Sequence, residues 1–486
     1  MSDFIIRGNE LVEYKGKDEN VIIPNGITKI SPCAFYELDF IKSVFIPSGV
    51  SEIGFSSFIR CTSLESVTIS DGALIIGDTA FNGCSSLETV SIPDSVQEIG
   101  ENVFNGCPRL RYTKANGGYY LGNEQNPYVV LARATLKDST SFEIKDGSKI
   151  ILDEVFKDKN TLKSVKIPHG VLFIGDSSFD GCSALEELTL PETLEKIEFS
   201  AFNSCTSIKE IALPSSLKHL GSCAFEFCSN LERVSVPSGL CEVGFSAFDL
   251  EKLTYNEIDG GKYLGNSENP CVILMQVPDK NIESFNVANG TVAIYDYAFY
   301  GCSQLKSICL PNTLKQICQG SFENCVSLES VQIPTEVKWI DSHAFSNCSA
   351  LKNLSLDAIE IQDSAFSCCD SLECVSIFGG KIWNYAFSAC SKLKTVTLGS
   401  DVNWIGESAF SDCASIESIN VPNAIIDDYA FIDCTGLKSV TLGKGVSSIG
   451  IEAFSGCTSL ESVLLYESTK IHDGAFCDFD KDLTYL

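Results

Sequence analysis

Leu87-x-x-Val90-x-Ile92-Pro93-x-x-Val96-x-x-Ile99-Gly100-x-x-Val103-Phe104-x-x-Cys107 is the stretch on which the reading turns. The same order of residue types returns from Leu185 through Leu188, Leu190, Pro191, Leu194 and Ile197 to Ala201-Phe202 and Cys205. Leu-x-x-Val-x-Ile places apolar residues at period 2, the pattern of a short strand with one buried face. Proline donates nothing to a ladder and so closes the strand. The Val-x-x-Ile-Gly segment turns the chain. Ala-Phe-x-x-Cys brings it back, with the Phe ring filling the coil. One coil cannot bury these residues alone, so coils have to stack.

Phenylalanine marks the repeat at 18 anchors, from Phe35, Phe58, Phe81 and Phe104, through Phe156 to Phe248, to Phe299 and on to Phe476. Most steps are 23 residues, several late ones are 21, and two are 52 and 51. The two long steps hold copies of one insert. Gly117-Gly118-Tyr119-Tyr120-Leu121-Gly122-Asn123-x-x-Asn126-Pro127 matches Gly260-Gly261-Lys262-Tyr263-Leu264-Gly265-Asn266-x-x-Asn269-Pro270. Each copy, over 113–141 and 256–284, reads as two strands joined by turn residues: a β-hairpin flap erupting from the stack. Residues 1–20 read as a related hairpin capping the N-terminal end, since an open end exposes core and strand edge. Residues 470–486 form a terminal coil and the C-terminal edge.

The chain has 486 residues, 44% hydrophobic, with 35 Lys+Arg against 64 Asp+Glu, a formal charge of −29. Nucleic acid and anionic membrane both require clustered positive charge, so neither is expected as a partner. No apolar run reaches the length of a membrane span, and no export signal or anchor is visible. There are 23 Cys and only four His, with no C-x-x-C, so zinc-site spacing is absent and no cofactor or metal is expected. No catalytic motif of the nucleophile-elbow, zinc-protease or phosphate-loop kinds is present, which argues against an enzyme. Asp478-x-Asp480-x-Asp482 lacks the Gly and distal Glu of a calcium loop and reads as a solvated acidic tail.

Stacking turns each repeat position into a column. One column alternates Lys306, Glu329, Lys352, Glu373, Lys394, Glu417, Lys438 and Glu461, a ladder of opposite charges on adjacent coils. Fourteen cysteines, from Cys61 to Cys457, stand three residues after the Phe anchors and are expected as reduced, buried thiols filling the return turn. Parallel Cβ vectors one strand spacing apart do not suit disulfides. Outward strand positions are mostly Ser and Thr, a face suited to solvent or to hydrogen bonding with protein or glycan. Between the inserts the pattern changes: Ser164, Lys166, Glu187, Thr189, Glu210, Arg233 and Ser235 bring charge onto this face. Both inserts interrupt the repeat at the same point and are expected to flank it, with Tyr119, Tyr120 and Tyr263 as aromatic anchors at its rim. A second candidate patch gathers Trp339, Trp383 and Trp404.

The unit resembles that of the BspA-like bacterial leucine-rich repeats: Leu-x-x-(Ile/Val)-x-(Ile/Leu)-Pro-x-x-(Val/Leu)-x-x-Ile-Gly-x-x-Ala-Phe-x-x-(Cys/Asn). The resemblance spans nearly the whole chain. It implies a leucine-rich-repeat solenoid of about 18 coils of 21–23 residues, with a parallel β-sheet on one face. It also implies a cell-surface or secreted, adhesin-like protein that binds other proteins. The expected function is therefore non-enzymatic protein–protein contact. The alternatives are a structural spacer without a dedicated ligand and a glycan-binding solenoid.

Overall fold

A computed structural model describes residues 3–137, 139–357, 360–479 and 482–485. These fall into two compact units, 1–240 with 246–254, and 241–245 with 255–486. Both are β-solenoids, and among the described residues there is no helix.

Each coil contributes two strands. The longer, such as Ser43–Ile46 and Ser66–Ile69, is the expected one and pairs in parallel with its neighbours at unbroken register, Val44 against Val67 and Val67 against Val90. The second lies where the sequence pattern indicates only a turn. It is a two-residue strand such as Glu52–Ile53, parallel to Lys29–Ile30 and Ile75–Ile76, so a second sheet runs along the stack. Proline separates the two strands in most coils. Phe378-Gly379-Gly380 and Gly399-Ser400-Asp401 replace it in two, and there the strands run through as Cys374–Ile382 and Thr395–Ile405.

The return arc is held by backbone. Phe58 N–H donates to the Ala80 carbonyl at 2.8 Å and Arg60 N–H to Asn82 at 2.7 Å, each on the next coil. To aim these groups, positions two before and two after the Phe anchor adopt positive φ, as at Ser56 and Arg60 or Ser200 and Ser204. The left-handed region costs a non-glycine residue roughly 1–2 kcal/mol, and the inter-coil hydrogen bonds offset it. Inside the arc the Phe rings stack. Phe345, Phe366, Phe387, Phe410 and Phe431 follow at 5.1–5.3 Å with interplanar angles of 3–5°. The column cysteines are buried. Except at Cys302, whose coil carries the first anchor of its block, these thiols donate to the anchor carbonyl of the preceding coil, as from Cys61 to Phe35 at 3.1 Å and from Cys434 to Phe410 at 3.2 Å. All 23 cysteines are free thiols in the structure.

The charge ladder is present in the second unit. Lys306, Lys352, Lys394 and Lys438 reach Glu283, Glu329, Glu373 and Glu417 at 2.9–3.3 Å. At the N-terminal end Phe4–Arg7 pairs antiparallel with Glu10–Tyr14, which starts the short-strand sheet at Lys29–Ile30. Tyr14 tops the ring column, stacked on Phe35 at 5.2 Å. At the other end Thr484–Tyr485 pairs with Leu464 and Leu465. Asp480 of the acidic tail and Leu486 lie outside the described residues.

Each insert holds the expected hairpin, Gly118–Leu121 with Val130–Ala134 and Gly261–Leu264 with Ile273–Gln276, but it is built into the stack and does not erupt from it. Each is three antiparallel strands, Thr113–Ala115, Gly118–Leu121 and Val130–Ala134 in the first, Asn256–Ile258, Gly261–Leu264 and Ile273–Gln276 in the second. The third strand of each becomes the first parallel strand of a new sheet, Val130 against Ile150 and Ile273 against Ala293. Each insert thus ends one solenoid block and caps the start of the next, as the N-terminal hairpin does for the first. The turn residues act here. Asn126 Nδ2 donates to the Gly147 carbonyl at 2.9 Å and Asn269 Nδ2 to Gly290 at 2.9 Å, tying the turn to the first new coil. A Cβ on Gly122 would lie 2.1 Å from the Asn126 carbonyl oxygen, so this tight turn admits only glycine.

Candidate functional site

The charged strand face lies in the first unit. Ser164, Glu187 and their neighbours form one ladder, Ser164 against Glu187 and Lys166 against Thr189. Glu210 and Arg233 form another, with Ala212 against Ser235. Lys166 is bound to Glu143 at 2.5 Å, and Arg233 grips Glu210 through Nε at 3.1 Å and through a terminal nitrogen. Glu187 and Thr189 are exposed. Together with Phe142, Lys166, Ile167 and Pro191 they line a shallow depression of about 520 Å³.

The rim tyrosines divide. Tyr119 is half-buried, but Tyr120 and Tyr263 are fully buried, which corrects their reading as exposed anchors. Their hydroxyls accept backbone N–H groups from Lys145 at 3.3 Å and Ala288 at 3.2 Å. They fill the interior at the start of a block, where a coil has no preceding coil to cover it.

Trp339 and Trp404 do share a column in the second unit, on the outer side of the short-strand sheet. The order is Gln316, Trp339, Glu360, Lys381, Trp404 and Ile425. Both tryptophans are half-buried. Trp383 turns to the same place, its Nε1 donating to Glu360 while Lys381 lies 5.5 Å over its ring. Lys381 also reaches Glu360 at 3.7 Å. The three tryptophans belong to one rigid polar–aromatic strip.

One site escaped sequence reading. The outer column of the short-strand sheet begins the second block with Val130, Ile150 and Phe173, all buried in one cluster with Ile76 and Ile99 of the first block. The end of the first block therefore rests on the outer face of the second, forming a corner. Lys196, next in the column, bridges it by pairing with Glu98 at 2.8 Å and Glu198 at 2.6 Å. Asp153 accepts N–H groups from Asn102 at 3.2 Å and Asp176 at 3.0 Å. Glu101, Asn102, Arg133, Asp153, Asp176 and Phe199 line a cavity of about 570 Å³ here. Burial pushes the Asp153 carboxyl up to about 6 against those two donors, and Glu101 and Glu198 add to the rise. Burial, a hydrogen bond with Glu101 and the charge of Asp153 lift Asp176 to about 8. Burial would lift Glu198 too, but His219 and Lys196 bond it and hold it below its ordinary value. Among the described residues, no group of His, Cys, Asp and Glu is arranged to hold a metal ion. The sequence signal for the corner was present but unread: at the start of each later block an outward position becomes apolar.

The second unit carries a related arrangement. Gln316 is buried, with its amide oxygen accepting from Val243 N–H at 2.8 Å. Its amide nitrogen donates to the Val243 carbonyl at 3.0 Å and to Asp341 at 2.6 Å. Burial raises Asp341 to about 7 against the Gln316 bond, with Asp296 and Glu242 contributing.

Among the described residues, no helix is long and apolar enough to cross a membrane. No curated protein matches the chain. Among solved structures, it is similar to a leucine-rich repeat protein from Bacteroides ovatus at 22% identity, covering 97% of this chain and 99% of that one, with a TM-score of 0.29. It is similar to a leucine rich cell surface protein from Faecalibacterium prausnitzii at 23% identity, covering 95% and 92%, with a TM-score of 0.26. It is also similar to the pneumococcal vaccine antigen PcpA at 17% identity, covering 96% and 95%, with a TM-score of 0.28. The BspA type leucine rich repeat region, in six copies, matches residues 8–122, 138–266, 278–380 and 360–481. With nearly the whole length matched, coil after coil, the chain belongs to the BspA-type leucine-rich-repeat proteins.

Proposed function

We propose that this protein is a non-enzymatic module for protein–protein contact, and that the charged strand face over Ser164–Ser235 is its contact surface. The observation that carries the reading is the presentation of opposite charges on paired strands around a shallow depression of mixed polar and apolar lining. Glu187, Glu210, Arg233 and Lys166 stand on ladder-paired strands, next to a hollow floored by Phe142 and Pro191. Side chains fixed on a sheet lose little freedom on binding, which favours affinity over a flexible surface. A standard interface takes roughly 800 Å² from each partner, so Tyr119 and neighbouring coils would have to share the contact. The strip of Trp339, Trp383 and Trp404 is the second surface proposed, because tryptophan is enriched where binding energy concentrates.

The test is a triple variant, Glu187→Ser, Glu210→Ser and Arg233→Ser. It removes both partners of the Glu210–Arg233 pair and costs the exposed Glu232 only a long contact with Arg233, at 3.9 Å. Partners retained by the immobilised wild-type chain are purified, and their affinity for both chains is measured by calorimetry. A loss of tenfold or more with unchanged melting supports the strand face. Unchanged affinity removes this face and moves the site to the tryptophan strip.

A further inference from the structure

Beside the corner, sharing only Tyr119 with the surface proposed above, lies an open notch of about 920 Å³. It is bounded by the last coil of the first block and by the first insert, with Phe104, Pro108 and Leu110 as apolar lining. Tyr112 and Tyr119 meet edge to face, with centroids 6.1 Å apart at 82°. Lys114 Nζ stands 5.1 Å over the Tyr119 ring, and the Arg133 guanidinium stands 5.2 Å over Tyr112. Arg111 lies at the edge, paired with Glu88. Lys114 and Arg133 have no carboxylate within ion-pairing distance among the described residues. In a chain of charge −29 with only six arginines, three of them, Arg109, Arg111 and Arg133, fall at or beside this one notch.

The duplicated insert provides an internal control. Its framework is the same: Gly260, Tyr263, Gly265, Asn266, Asn269 and Pro270 repeat Gly117, Tyr120, Gly122, Asn123, Asn126 and Pro127. The strand pairing is the same too. Yet Thr254, Glu257 and Gln276 stand where Arg111, Lys114 and Arg133 do, and Lys262 replaces Tyr119. The insert therefore folds without these cations and without the second tyrosine of the notch. The second copy keeps one cation on a ring, with Lys262 Nζ 5.4 Å over Tyr255, but lacks the three cations and the paired tyrosines that make the notch.

We infer that this notch binds an acidic, extended peptide segment of another protein, with an aromatic or proline side chain against Tyr112 and Tyr119 and carboxylates on Lys114 and Arg133. Lys114, Tyr119 and Arg133 are register partners across three adjacent strands, one row on one face. At the usual strand spacing Lys114 and Arg133 are about 10 Å apart, close to the roughly 9 Å between residues i and i+3 of a polyproline II segment, which at three residues per turn presents both on one side. The motif is thus two acidic residues three positions apart with a ring between them. Arginine stacked on a ring keeps its N–H fork free for a carboxylate. Apolar lining beside a few fixed polar groups is the usual make-up of a recognition pocket.

The probe is a fluorescein-labelled peptide with a Glu-Tyr-Pro-Glu core flanked by Gly-Ser, followed by polarisation against the full chain. Controls replace both Glu by Gln, or Tyr-Pro by Gly-Gly. The decisive variant carries Arg111→Thr, Lys114→Glu and Arg133→Gln, the residues that the second insert already uses. The expected result is saturable binding to the native chain, weakened tenfold or more by the variant, by either control peptide and by 0.5 M salt. Unchanged melting shows that the fold survives. If the triple variant melts early, Lys114→Glu and Arg133→Gln are read singly, each expected to weaken binding at least threefold. No binding, equal binding by the variants, or heparin competing as well as the unlabelled peptide would overturn the inference, the last by making the notch a general anion site.

Discussion

Replacing Phe410 by Ala sets the assignment of inside and outside against a number. The ring is fully buried, stacked between Phe387 at 5.3 Å and Phe431 at 5.2 Å. Rigid backbone arcs on both sides limit collapse, so the cost belongs at the usual Phe→Ala level of about 3–5 kcal/mol. The counter-perturbation is Lys394→Glu in the same region. Lys394 is largely exposed and pairs with Glu373 at 3.3 Å. Its reversal would put a carboxylate between those of Glu373 and Glu417, so that three consecutive coils carry like charge in one column. An exposed pair is worth about 1 kcal/mol or less, and salt screens the repulsion. Urea unfolding followed by tryptophan fluorescence reads this unit directly, because all three tryptophans lie in it, and Trp404 is on the Phe410 coil. At a slope of roughly 3 kcal/mol per molar, Phe410→Ala should move the midpoint by about 1–1.7 M. Lys394→Glu should move it by about 0.3 M or less, recovered in 0.5 M salt. A larger shift for the charge reversal than for the ring deletion would refute the reasoning.

Thiol titration of the denatured chain should count all 23 cysteines, while fast reaction in the native state should be confined to the exposed Cys33, Cys309, Cys368, Cys374 and Cys477. Burial pushes the Cys61, Cys182 and Cys228 thiols up to about 12, so little thiolate is present for attack. Asp153 at about 6, Asp341 at about 7 and Asp176 at about 8 are all raised above their unfolded value of 3.8. The folded state therefore holds protons that the unfolded state releases, and the stability they contribute is lost as pH rises through 6–8. Stability, and melting with it, should be higher at pH 5 than at pH 9 by several kcal/mol. Asp176→Asn should flatten the dependence of the first unit, and a profile rising with pH would contradict the corner. Gln316→Ala should destabilise the second unit by about 2–3 kcal/mol, since it leaves the buried Val243 N–H and C=O without partners. A cost near zero in urea unfolding would show that water replaces the amide.

The Phe anchors and the cysteine column were legible because both repeat at a fixed step, and stacking converts a step into a contact. The charge ladder was legible for the same reason. The second strand of each coil was not, because two residues before a glycine carry no period of their own. Nor was the positive φ beside each anchor, where Cys33, Phe227 and Tyr297 stand in place of the glycine that normally announces it. Tyr120 and Tyr263 were misplaced because their neighbours Gly118, Gly122, Gly261 and Gly265 suggested an exposed turn. The missing fact was that a block's first coil needs a plug. The corner joins Glu98 to Lys196 across 98 residues, a pairing outside any repeat step.

The local start of each block has a consequence for how the chain is made. A parallel sheet usually waits for a distant strand to return, and that wait slows folding. Here the first parallel strand of each block is supplied by an antiparallel meander, over 4–14, 113–134 and 256–276, and every later coil adds to a template finished 21–23 residues earlier. Synthesis delivers roughly one coil every one to four seconds at ordinary elongation rates, far slower than a hairpin closes. A nascent chain can therefore add coils in the order they emerge from the ribosome, and a stalled or misfolded coil loses at most its own block before the next meander begins a fresh template.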